Sequence, residues 1–155
     1  MIQFHTETTI VAPPPEVFDA ALDIGAHVAS MSASEEAAVD GVTSGVIGLG
    51  ETVTWRARHF GLWWTMTSRI TAYEAPHSFT DEQVRGPFAQ FRHVHRFQPR
   101  PDGGTQMSDD VTFVAPFGPL GRLAERLVLA RYVRHLIASR NDWLRRHVDA
   151  PHGTG

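Results

Sequence analysis

The chain has 155 residues, 42% of them hydrophobic, a formal charge of -3 and no cysteine. That length suffices for one domain burying roughly 70% of the surface its unfolded chain exposes, and the lack of thiols excludes disulfides, thiol nucleophiles and thiolate zinc sites. All 14 basic residues are arginine, which removes lysine Schiff-base and general-base chemistry, and the negative balance argues against nucleic acid as a partner.

From the start of the chain, Ile2, Phe4, Thr6, Thr8 and Ile10 share one side of an alternating segment that runs to about Val11, the pattern of a half-buried strand. No stretch approaches the roughly 20 apolar residues of a membrane span, so the expectation is a cytoplasmic protein with no transmembrane segment. Pro13, Pro14, Pro15 and then Glu16 suit the first turn of a helix, with Val17, Phe18, Ala21 and Leu22 at helical spacing. A second short helical turn covers about Ile24 to Met31. Gly41, Gly45, Gly48 and Gly50 then mark brief strands and turns.

From Glu51 the period becomes two. Val53, Trp55 and Ala57 share a face, Phe60 and Gly61 turn the chain, and Leu62, Trp64, Met66 and Ile70 share a face of the next strand. A turn near Glu74 to Pro76 leads to a strand from Ser78 to Arg85, with Phe79, Asp81, Gln83 and Arg85 on one side. Gly86 and Pro87 break the ladder. In the following strand Phe91, His93, His95 and Phe97 fall on one side. The loop from Gln98 to Gly104 precedes a last strand from Met107 to Val114, in which Met107, Asp109, Val111 and Phe113 share the inward parity. This succession predicts an antiparallel meander.

The longest helical candidate runs from about Leu120 to His147, with Leu120, Leu123, Leu127, Ala130, Val133, Leu136, Ile137 and Leu144 recurring at three- and four-residue steps. Between 119 and 147 seven arginines face only Glu125 and Asp142, a local +5. These arginines read either as the solvated face of the helix or as a docking surface for an acidic partner or membrane headgroups. The order of elements gives an α+β fold in which a curved antiparallel sheet of about six or seven strands wraps the long C-terminal helix and leaves a cavity between them. One domain over residues 1–148 and a flexible tail over 149–155 complete the organisation.

Four segments carry a family resemblance: Gly50-Glu51-Thr52-Val53-Thr54-Trp55 continuing to Phe60-Gly61, Phe79-Thr80-Asp81-Glu82-Gln83-Val84-Arg85-Gly86-Pro87-Phe88, His93-Val94-His95-Arg96-Phe97, and Gly118-Pro119-Leu120-Gly121. In combination they resemble the ligand-binding SRPBCC proteins of the START-like, helix-grip superfamily, which also holds polyketide cyclases and plant hormone-binding allergens. The resemblance covers about residues 2 to 147. It implies a helix-grip fold with an internal cavity for a hydrophobic small molecule. It implies no single reaction, because related members carry, sense or chemically modify their ligands.

Two imidazoles framed by phenylalanines suggest a greasy wall with a few polar groups, which is how small-molecule pockets are built. If the loop 98–104 joins an antiparallel pair, Asp109 stands opposite His93 or His95, where it would raise the imidazole pKa and fix its tautomer. Such a pair could rigidify the sheet, hold a ligand or, as catalytic candidates His93, His95 and Asp109, move a proton. Asp81 and Arg85 could pair with each other or with the histidines, and a free Arg85 could grip a carboxylate. Trp55, Trp64, Met66, Phe91, Phe97 and Met107 are the candidate apolar contacts.

His93 and His95 could share an ion with Asp109, yet His59, His27 or another distant residue would have to complete it, so no metal is expected. Gly45 to Gly50 lacks the helix start that binds phosphate, and Ser44, Ser68 and Ser108 lie outside any nucleophile elbow, so no cofactor and no serine hydrolase is expected. The preferred expectation is a carrier or sensor of a hydrophobic small molecule. The alternatives are a cyclase or dehydratase that positions its substrate and moves a proton through an imidazole, and an interaction domain, in a homodimer or otherwise, acting through the arginine-rich helix face.

Overall fold

The computed structural model describes residues 1–116 and 118–149. Strand β1 (Ile2–Ile10) leads into helices α1 (Pro14–Leu22) and α2 (Ile24–Ser30), and strands β2 (Ala37–Gly41), β3 (Thr52–His59), β4 (Leu62–Glu74), β5 (Ser78–Arg85), β6 (Gln90–Pro99) and β7 (Thr105–Val114) follow. All seven join one antiparallel sheet in the order β1-β7-β6-β5-β4-β3-β2. The C-terminal helical stretch comprises α3 (Gly118–Ala124), a π-helical segment (Glu125–Leu129) and α4 (Ala130–Val148). It is the helix-grip arrangement expected from the sequence.

Local chemistry explains the elements. The prolines occupy the start of α1, where their missing N–H groups cost nothing, and the helix buries Val17, Phe18, Ala21 and Leu22. Asp23 caps α2 by accepting from the Ala26 N–H at 2.7 Å. Phe60 and Gly61 both adopt positive φ, 54° and 74°, to turn the β3–β4 hairpin. Gly41 is at φ 74°, and a Cβ there would lie 2.2 Å from the Thr52 carbonyl oxygen, so only glycine fits the close approach of β2 to β3.

The sheet is bent where its register slips. Thr67 faces Arg85 while Ser68 faces Gln83, which leaves Val84 as an extra residue on β5, and a second shift falls between Ile70 and Ala72. Bulges of this kind add twist and curve a sheet around what it covers. Strand β7 has no such shift in its pairing with β6, and its buried and half-buried residues alternate along its whole length.

The expected single helix is interrupted by the π-helical segment. An extra residue in one turn rotates everything after it, so the apolar stripe ahead of that turn no longer continues the one behind it. Leu120, Leu123 and Leu127 are accordingly exposed, while Val133, Ile137 and Leu144 are buried. Helix α4 packs against β1, α1 and α2. Arg140 and Asn141 also point inward and are buried, which corrects the reading of all seven helix arginines as solvated: Arg140 lies on the stripe of Val133, Ile137 and Leu144.

Asp149 seats the end of α4, accepting from the backbone N–H groups of Val11 at 3.1 Å and Ala12 at 3.0 Å. The rest of the expected tail, 150–155, lies outside the described residues. No helix among the described residues is long and apolar enough to cross a membrane. Because both Asp149 bonds tie the helix to the β1–α1 junction, Asp149→Ala is expected to destabilise the fold by about 1–2 kcal/mol, read from the midpoint of urea unfolding; an unchanged midpoint would contradict this anchoring.

Candidate functional site

Between the concave face of the sheet and the C-terminal helices lies a cavity of about 780 Å³. Its wall is assembled from alternate residues of the strands: Val53, Trp55 and Ala57 from β3, Trp64, Met66, Ser68 and Ile70 from β4, Phe79 and Asp81 from β5, and Phe91, His93 and His95 from β6. The helices add Leu129, Tyr132, Val133, Leu136, Ile137 and Arg140. Phe60, Trp64 and Val128 line it while remaining partly exposed, so they mark its rim. Tyr132 spans toward β3, where its hydroxyl and His59 Nδ1 are 2.5 Å apart.

The polar groups that β5 and β6 bring to this wall form a compact cluster, apart from His27, Glu36 and His59 elsewhere on the lining. The imidazoles of His93 and His95 stack with centroids 3.6 Å apart, and Phe79 stacks on the other face of His95 at 4.1 Å. In the β6–β7 register His95 stands opposite Asp109, one of the two pairings that the loop length allowed. The nearer bond is nevertheless diagonal: His93 Nε2 lies 2.7 Å from Asp109 Oδ1. On the cavity side His95 Nε2 lies 2.7 Å from Asp81 Oδ2, and His93 Nδ1 is 4.0 Å from the same oxygen.

Asp109 is wholly buried. Burial pushes its carboxyl up, but the hydrogen bond from His93 and the nearness of His95 outweigh that and hold it well below the usual carboxylate range. Asn141 Nδ2 donates to its Oδ2 at 2.6 Å, and the Thr6 hydroxyl donates to the same atom at 3.5 Å. An ionised carboxylate only accepts, so His93 must carry its proton on Nε2. Burial, then the neighbouring His95, lowers the His93 pKa, leaving Nδ1 with a free lone pair. Asp81 is treated alike: burial raises its pKa, and the His95 hydrogen bond, with the nearness of both histidines and of Arg140, brings it below the ordinary value. His95 Nδ1 is 3.3 Å from Asp109 Oδ1 at an angle that makes no hydrogen bond, and among the described residues it is the one buried side-chain polar atom with no partner.

The residues singled out from the sequence thus fall into four groups. Trp55, Trp64, Met66, Asp81, Phe91, His93 and His95 line the cavity. Asp109 stands behind the histidines. Phe97 and Met107 are packed in the core, where Phe18 of α1 meets Phe97 edge-on at 5.4 Å and closes that end of the sheet. Arg85 is exposed beyond the bulge at Val84. Arg140, Asn141 and Tyr132 were not singled out from the sequence. Their signal was the helical step from Val133 through Ile137 to Leu144, read only for its apolar members.

The family described as polyketide cyclase / dehydrase and lipid transport matches residues 1–149, and the chain belongs to it. Among solved structures, TTHA0849 from Thermus thermophilus is 18% identical with a TM-score of 0.79, over 98% of this chain and 100% of that one. The Zhui aromatase/cyclase from a Streptomyces species, strain R1128, is 17% identical with a TM-score of 0.73, over 98% of each chain. Ara h 8.0201 is 15% identical with a TM-score of 0.67, over 95% of this chain and 97% of that one. At these identities the likeness establishes the fold. No curated protein sequence matches the chain.

Removing the carboxylate leaves His93 and Asn141 as buried donors with nothing to bond. Asp109→Ala is therefore expected to cost roughly 3–5 kcal/mol in urea unfolding near neutral pH. Because the folded carboxyl is held below its ordinary 3.8, its stabilisation is present above that pH and is lost as the pH falls through the lower folded value. The gap between wild type and variant should close only in strong acid; a gap that shrinks already near pH 6 (roughly the range of an ordinary histidine) would contradict the assignment.

Proposed function

We propose that the protein binds a hydrophobic small molecule carrying one polar group, as a cytoplasmic carrier or sensor. The observation that carries this reading is the 780 Å³ cavity, lined mostly by apolar side chains, with the Asp81, His93 and His95 cluster on one wall and His27, Glu36 and His59 elsewhere on its lining. That volume falls in the range of roughly 300–1,000 Å³ typical of small-molecule sites. A ligand burying about 300 Å² of apolar surface would gain roughly 7 kcal/mol from transfer alone, before the cost of association. Affinity would come from Trp55, Trp64, Met66 and Phe91. His93, His95 and Asp81 would orient the polar group, with Asp109 positioning the imidazoles and Phe97 and Met107 packing behind them.

A cluster of two carboxylates, two imidazoles and a guanidinium is an expensive way to stabilise a wall. Well-packed apolar residues of similar size often do as well or better, so the cluster's placement at the cavity favours a role toward a ligand. The same cluster supports a second reading, a cyclase or dehydratase in which the Asp81–His95 pair moves a proton in a substrate folded by the cavity. The two readings separate once a ligand is identified: an enzyme should turn the ligand over and lose that turnover in His95→Gln, whereas a carrier should show none in either protein. The arginine-rich face, with Arg131, Arg134, Arg145 and Arg146 exposed, supports the interaction-domain alternative less well, since that reading calls for no cavity.

Binding is tested with 8-anilinonaphthalene-1-sulfonate fluorescence and with native mass spectrometry of protein purified from its own host. Wild type should bind the dye and retain a co-purifying apolar molecule. Ala57→Trp, which directs an indole from β3 into the cavity, should weaken dye binding by roughly 10-fold or more while the fold survives. Equal binding by wild type and this variant would place the dye outside the cavity and defeat the reading.

A further inference from the structure

We propose that Asp81, His93 Nδ1 and His95 Nε2 form a site for one divalent transition-metal ion of the zinc type, set in the cavity wall with Asp109 as the shared outer carboxylate. One ligand atom from each of the three residues lies within 4.8 Å of the other two. Zinc held at roughly 2.0–2.1 Å from each ligand needs these atoms about 3.3 Å apart. The His95–Asp81 contact of 2.7 Å must open and the His93–Asp81 contact of 4.0 Å must close, each by less than about 1 Å on that geometry. The sequence suggested Asp109 as the third ligand. Its place behind the rings gives it the other role.

Proton placement carries the argument. With both carboxylates ionised, His93 Nε2 donates to Asp109 and His95 Nε2 donates to Asp81. Wherever both rings are neutral, two bare nitrogens face carboxylate oxygens: His93 Nδ1 toward Asp81 and the partnerless His95 Nδ1 toward Asp109. Both contacts set lone pair against negative charge in a buried place. A tautomer change at His95 together with a cation beside Asp81 relieves both. If the His95 proton moves to Nδ1 and the ring tilts to align the 3.3 Å contact with Asp109 Oδ1, that proton gains an acceptor, and His95 Nε2 joins His93 Nδ1 as a free lone pair beside Asp81. A divalent cation fits among these three atoms. One carboxylate holding the far N–H of two metal-bound imidazoles is the arrangement that fixes such ligands elsewhere.

Arg140 opposes the ion, since its charge acts on Asp81. Two carboxylates and one guanidinium leave the cluster one negative charge in excess, and a divalent ion overshoots by one positive charge. The ion would therefore favour an anionic fourth ligand from the cavity, a hydroxide or an ionised enol, phenol or carboxyl oxygen. Only this last clause rests on the ligand-binding reading. Two histidines and a carboxylate suit zinc, cobalt or ferrous iron.

The test uses the full chain, stripped with a chelator and titrated with Zn²⁺ by calorimetry and with Co²⁺ by visible absorption, and it follows the imidazole nitrogens by NMR. The account predicts one ion per chain, tighter binding as the pH rises, and loss of the His95 Nε2 proton in favour of Nδ1. Asp109→Asn should weaken binding by roughly 10–100-fold, and Asp81→Asn or His95→Gln by more than that. His5→Ala, on the surface, should change nothing. Asp81 is only partly buried, so its variant keeps the test readable if a His95 variant misfolds, and the wild-type spectra need no variant at all. Zinc affinity weaker than about 1 mM, binding that survives Asp81→Asn, or imidazole signals that do not move would overturn the proposal. Since no hydrophobic ligand is used, this outcome is independent of the dye experiment.

Discussion

The structure turns on a carboxylate placed where water does not reach. Asp109 is wholly buried, and it is kept charged by donors from three elements: His93 on β6, Asn141 on α4 and Thr6 on β1. An ion taken out of water costs several kcal/mol even after relaxation unless hydrogen bonds replace its hydration. Here they do, and each replacement ties another part of the fold to the same point. The sheet and the helix that it grips therefore meet at a polar contact as well as an apolar one, and the side chains that border the cavity inherit their orientation from it.

From that contact the chemistry of the cavity wall follows. A carboxylate that accepts at His93 Nε2 decides the tautomer, and the tautomer decides that a lone pair remains toward the cavity. The stacking of His93 on His95, with Phe79 beyond, holds the rings in a narrow slab between the two acids. The rest of the wall is mostly aliphatic and aromatic, with His27, Glu36 and His59 as further polar members. Such a division between contact area and a small set of oriented polar atoms is what discriminates a hydrophobic molecule with one polar end from hydrocarbon and from a fully polar metabolite.

Much of this was legible in the sequence. Alternation marked β3 to β7, and the seven residues from Gln98 to Gly104 fixed the turn closely enough to bring Asp109 beside the histidine pair. What pattern alone could not supply was depth. Alternation tells which side of a strand a residue occupies but not how far along it the cavity ends, so Phe97 and Met107 looked the same as Phe91, although Phe18 packs against Phe97. Arg85 shared the parity of Asp81 until a bulge, which leaves no mark in composition, turned it outward. In the helix a π-helical turn shifted the phase of the apolar stripe, and Arg140 and Asn141 were hidden by the habit of placing charged and amide residues outside.

The most direct measurement of the central claim is the protonation pattern of His93, read from long-range proton–nitrogen couplings of its ring near neutral pH. The account predicts a neutral imidazole with the proton on Nε2 and a bare Nδ1. A His93 protonated on Nδ1 with Nε2 bare would mean that Asp109 does not set the wall of this cavity, and the reading of the site would fall with it.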